Sequence, residues 1–149
     1  MTDIQFYFLA MPLDRMLPKL LEKAFAGGMK TRVKFASEEK AELMNTLLWT
    51  YDPDSFLPHG TKKDGNGALQ PIYLTASNDN PNAASLVIVT DGSEISADAP
   101  PQRAFDIVEA HDEAAMNAAQ SRLGQYRQQG HAVSCVRQTP SGAWEKLPQ

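Results

Sequence analysis

Short apolar runs alternate with stretches of helical periodicity along most of this chain, and that alternation constrains its fold more than any other feature. Ile4 to Leu9 is rich in aromatic and branched side chains and reads as a first strand. Leu17, Leu20, Leu21, Ala24 and Phe25 then recur at helical spacing, with Asp14 as the cap, Gly27-Gly28 as the stop and a start near Arg15 that keeps Pro18 in the first turn. Thr31 to Ala36 gives a second strand. Ser37 caps a second helix that carries Ala41, Met44, Leu47 and Leu48 on one face and ends near Trp49. A βαβα order favours a parallel sheet, because parallel neighbours need a crossover and crossovers are usually helical.

Residues 51 to 70 mix Pro, Asp and Gly with no regular apolar pattern and read as a long connection. Ile72 to Thr75 is a short strand. Ser85 to Thr90 is the most apolar strand and is expected at the centre of the sheet. Ala104 to Ala110 is another strand. Asp112 caps a helix running to about Gln129 with Met116, Ala119, Leu123 and Tyr126 inward, and His131 to Gln138 closes the sheet. The expected fold is three-layer α/β with a mostly parallel central sheet, formed by residues 1–149 as one domain.

The composition narrows the function. Fourteen Lys and Arg against 18 Asp and Glu give a net charge of −4, which argues against a broad nucleic-acid-binding surface. One cysteine, Cys135, forms no internal disulfide, and the N-terminus lacks the build of a signal peptide, so a reducing cytoplasm is expected. No apolar stretch approaches the roughly 20 residues that cross a bilayer. There is no phosphate-binding GxxxxGK[ST] loop, no GxGxxG, no paired CxxC and no HExxH, so no cofactor or metal is expected. Asp64-Gly65-Asn66-Gly67 reads as a flexible turn.

Three places could carry chemistry or binding. Asp91 follows the most apolar strand, where α/β enzymes place catalytic or metal-binding carboxylates; a small enzyme acting on a nucleotide or phosphorylated metabolite is the alternative reading, against a plain Asp-Gly turn. His59, His111 and His131 share no ligand spacing, and Cys135 reads as a small buried residue rather than a nucleophile. Trp49, Phe56 and Pro58 can form an exposed apolar patch that binds a partner, or anchor the loop to its own domain. Seven acids and one Arg fill Asp91 to Glu113, whereas Arg122, Arg127, Arg137 and Lys146 face only Glu145 beyond Ala114. A groove beside the last helix, with Arg122 or Arg127 at its mouth, suits an acidic peptide with a terminal carboxylate.

The Phe6-Tyr7-Phe8-Leu9 strand, Leu48-Trp49 followed by Asp54-Ser55-Phe56-Leu57-Pro58-His59-Gly60, and the late Arg122…Tyr126-Arg127…Gly130-His131 and Gly142…Trp144 pattern resemble the chi subunit of bacterial DNA polymerase III. The resemblance implies a Rossmann-like fold without a nucleotide site and no catalysis of its own. It implies an adaptor between the clamp loader, reached through the psi subunit or another clamp-loader component, and the acidic C-terminal tail of single-stranded DNA-binding protein, with little or no direct nucleic acid binding. Trp49, Phe56 and Pro58 would face psi, or a helicase competing for the same surface. The tail site would lie around Val108, Gln120, Leu123 and Gly124. Well-known members carry basic or aromatic side chains where this chain has Gln120, Leu123 and Gly124, which leaves the carboxylate clamp to Arg122 or Arg127.

Overall fold

A computed structural model describes residues 2–50, 57–65, 67–90, 92–95 and 101–147. Seven strands form one sheet: β1 (Asp3–Leu9), β2 (Thr31–Lys34), β3 (Ile72–Thr75), β4 (Leu86–Val89), β5 (Arg103–Glu109), β6 (Ala132–Gln138) and β7 (Trp144–Lys146). The helices are α1 (Leu13–Ala26), α2 (Glu38–Thr50) and α3 (Glu113–Gln128). The spatial order is β3-β2-β4-β5-β1-β6-β7, parallel throughout except for the β6–β7 pair.

Side chains alternate across each strand, and two cores result. On one face α1 and α2 bury Leu17, Leu21, Ala41, Met44 and Leu48 against Leu9, Val33, Ile88 and Ile107. On the other, α3 brings Ala119 and Tyr126 onto Ile4, Phe6, Phe8, Val108 and Val133. The arrangement is the expected three-layer α/β fold.

Four local expectations are corrected. α1 begins at Leu13, with Pro12 rather than Asp14 in the capping position and no side-chain cap. Pro18 is therefore the sixth helical residue, not one of the first turn, and its missing N–H leaves the Asp14 carbonyl without its usual donor. Burial of Met16, Leu17, Leu20 and Leu21, at about 1.5–3 kcal/mol for each fully buried large side chain, outweighs that loss. Second, β4 is enclosed by β2 and β5 and buried at every position, but the middle strand is β5; complete apolarity reports burial on both faces, not rank in the sheet. Third, β6 is not the last strand. The Thr139 N–H donates to Ala143 O at 2.8 Å around a turn in which Gly142 takes φ 92°, and the chain returns as β7. Fourth, Asn45 shares the buried face of α2 with Ala41, Met44 and Leu48, while Leu47 is only partly covered. The other two caps form as expected, Ser37 Oγ accepting from Lys40 N at 3.2 Å and Asp112 Oδ1 from Ala115 N at 3.1 Å.

Candidate interaction sites

The first site lies where α2 ends. Trp49 is 55% exposed, so it is a surface residue and not a core anchor. Its ring centroid is 4.4 Å from that of His59, which is buried beneath it. The two ring nitrogens of His59 lie 2.6 Å from Leu57 O and 3.1 Å from Asn45 O, so one imidazole ties the returning chain to the side of α2. Leu57 inserts into the core between the helices and the sheet, and Pro58 beside it is half-buried. Gly60 then bridges to β3, donating to Ile72 O at 3.1 Å and accepting from Leu74 N at 2.9 Å, with the Gln70 side-chain amide lying close against its Cα. The indole thus rests on a ring fixed at both ends. Phe56 and Asp91 lie outside the described residues.

The residues expected around α3 divide into two groups. Val108 is buried on the α3 side of β5, and Arg122 is 5% exposed. Arg122 Nε and Nη2 donate to the two Asp106 carboxylate oxygens at 2.8 and 2.9 Å, a fork-to-fork ion pair beneath the helix. This corrects the expectation of Arg122 at a groove mouth: its guanidinium is committed to the strand below. Burial pushes the Asp106 carboxyl up, with Arg122 opposing. Burial works against the Arg122 charge, and Asp106 more than restores it, so the arginine sits above its ordinary value. Gln120, Leu123 and Arg127, by contrast, follow at spacings of three and four along one stripe of α3, with Gln120 and Arg127 exposed and Leu123 half-buried. The charge of Arg127 is felt at the Cys135 thiol, which places this stripe toward β6. On the opposite flank a cavity of about 330 Å³ opens between Ala115, Ala118, Gly92, Glu109, Leu13 and Lys40, with Val108 and Arg122 at its base.

The remaining candidates have structural partners. His131 Nδ1 accepts from Thr2 N at 2.9 Å, and burial pushes the Cys135 thiol up, which keeps it protonated and unreactive. His111 lies exposed, 3.7 Å from Glu109. Among the described residues, no group of three or more His, Cys, Asp or Glu is placed to hold a metal ion.

Sequence reasoning missed His59 as a strut and the Asp106–Arg122 pair. Both had a signal. His59 belongs to the Leu-Pro-His-Gly block that carries the resemblance, and Arg122 stands three residues from Ala119 and four from Tyr126, on the inward stripe of α3.

Fold and surface together define a parallel-sheet α/β protein whose distinctive exposed groups are an indole at one helix end and a mixed polar stripe along another helix. The chain belongs to the family described as DNA polymerase III chi subunit, HolC, whose model matches residues 1–134. It is 29% identical over 134 residues to a protein named probable DNA polymerase III subunit chi from Rickettsia prowazekii (strain Madrid E), covering 87% of this chain and 81% of that one. Membership makes it a replication accessory subunit. Trp144 lies beyond the matched span. No helix among the described residues is long and apolar enough to cross a membrane.

Proposed function

We propose that this chain is a non-catalytic adaptor of the cytoplasmic replication machinery, joining the clamp loader to the acidic C-terminal tail of single-stranded DNA-binding protein. The observation that carries the reading is the exposed Trp49 indole seated on the buried His59 ring. A large aromatic held in place before binding loses little conformational freedom on docking, which is the usual character of an interface anchor. With Pro58, and with Phe56 by the family resemblance alone, it is what we assign to psi or an equivalent clamp-loader subunit. The tail falls to α3. With Arg122 engaged by Asp106, Arg127 supplies the charge for a carboxylate and Leu123 the apolar contact, with Gln120 beside them.

The test is a pair of variants and two titrations. Trp49→Ala should weaken clamp-loader binding by about 2 kcal/mol, roughly thirtyfold, and leave tail-peptide binding unchanged. Arg127→Glu should do the reverse, and its effect should shrink with added salt, since exposed charges are screened over about 8 Å at physiological ionic strength. Loss of both activities with either substitution contradicts the assignment of separate surfaces.

A further inference from the structure

A third surface lies on the open part of the sheet, on the α1 side of β5, β1, β6 and β7. There Tyr7 meets Phe105 edge-on with centroids 4.9 Å apart and Trp144 at 5.4 Å and 90°, while the Arg103 guanidinium lies 5.4 Å over the Phe105 ring. Tyr7 and Phe105 are only partly buried and Trp144 is 37% exposed. They line a groove of about 330 Å³ whose other wall is Leu20, Lys23 and Ala24 of α1. Lys146 stands opposite Val136, a floor residue, so it shares this face.

We propose that this groove binds single-stranded nucleic acid. Unpaired bases stack on aromatic rings and on guanidinium planes, and their phosphates need cations along the edges; a row of three rings interleaved with Arg103, Lys23 and Lys146 supplies both. The acids on the same strand face are Asp3, register partner of Arg103, and Glu109 at the far end of β5 beside Lys40; neither lines the groove. A net charge of −4 excludes a broad basic surface but not a groove edged by Arg103, Lys23 and Lys146 whose own lining holds no acid among the described residues. A second copy fits this face poorly, because a two-fold contact would press the three cations against their own images. A proline-rich peptide would use the rings and leave the cations without a role.

The experiment titrates the full chain into a fluorescein-labelled oligothymidylate of about 15 nucleotides and follows anisotropy at about 50 and about 200 mM salt. Saturable binding with a Kd of about 10⁻⁴ to 10⁻⁶ M is expected, weakening roughly twentyfold across that salt range if three phosphates are neutralised. Trp144→Ala should weaken it about tenfold, Arg103→Glu at least as much, and Lys63→Glu, remote from the groove, not at all. Amide shifts of the wild-type chain keep the outcome independent of variant folding: Gln5, Tyr7, Phe105 and Trp144 should move on adding the unlabelled strand. Tighter binding of oligouridylate keeps the proposal and names RNA as the strand. The proposal is overturned by the absence of binding at about 1 mM protein, by affinity that Trp144→Ala and Arg103→Glu leave unchanged, or by a proline-rich peptide moving these amides when the oligonucleotide does not.

Discussion

On the α3 side of β1, Ile4, Phe6 and Phe8 are at most 4% exposed; on the α1 side of the same strand, Gln5 and Tyr7 remain partly open. Both faces are aromatic. Phe6 lies 6.1 Å from Phe8 and from Tyr126 under a helix of 16 residues, whereas Tyr7, with the Phe105 and Trp144 rings beside it, packs at the margin of the core built by α1 and α2. The chain path makes the difference. The α1 crossover carries the chain from β1 across to β2, so α1 and α2 pack over Val33, Ile72, Leu74, Leu86 and Ile88 and reach β1 and β5 at Leu9 and Ile107, leaving Gln5, Tyr7 and Phe105 only partly covered. Alternation along a strand marks two faces; which one becomes core depends on where the crossovers run.

Stability measurements sharpen the contrast. Phe6→Ala should cost about 3–5 kcal/mol by urea denaturation, and Tyr7→Ala clearly less, because its ring leaves a groove already open to solvent. Equal losses would mean that the second face is core as well. Asp106→Ala should also cost about 3–5 kcal/mol by stranding Arg122, while Asp106→Leu combined with Arg122→Met should recover most of that loss, since a hydrophobic pair of similar volume removes the desolvation cost of two ions. A double variant no better than the single one would show that the pair does more than satisfy its own charges. Arg122→Ala is thus expected to read as a folding defect in any binding assay.

A smaller effect follows from ionisation. Burial, then the Asp106 carboxylate, pushes the Tyr126 phenol up to about 12; burial, then Asp79, does the same for Tyr73 at about 12. An unfolded tyrosine ionises near ~10, so between about pH 10 and 12 the unfolded chain releases its protons first. The contribution of these phenols is complete below pH ~10 and is lost as pH rises through that window. The raised Cys135 thiol acts in the same direction from about pH 8.5. Urea midpoints should decline steadily over this range, and Cys135 alkylation at pH ~8 should be slow until denaturant is added. A flat alkaline profile, or rapid alkylation of the folded protein, would place these groups nearer to water.

The strands and helices were legible because each buries one face, and burial leaves a period of two or about four in the sequence. β7 escaped notice because its three residues are all exposed and carry no such period. The fate of Arg122 was legible only in halves. Its helix position is inward, and Asp106 alternates with Ala104 and Val108 on the face below, but nothing local in sequence joins two charges 16 residues apart. Trp49 was readable as a candidate surface residue; the His59 platform was not, because it depends on two backbone carbonyls meeting one ring.

The most direct test of the adaptor reading is whether both partners bind at once. A labelled tail peptide of single-stranded DNA-binding protein would first be saturated with this chain, then titrated with the clamp-loader subunit while anisotropy is followed. The account expects a further rise with the peptide retained, and loss of that second rise alone in Trp49→Ala. Displacement of the peptide by the clamp-loader subunit, or no binding of either partner to folded protein, would contradict it.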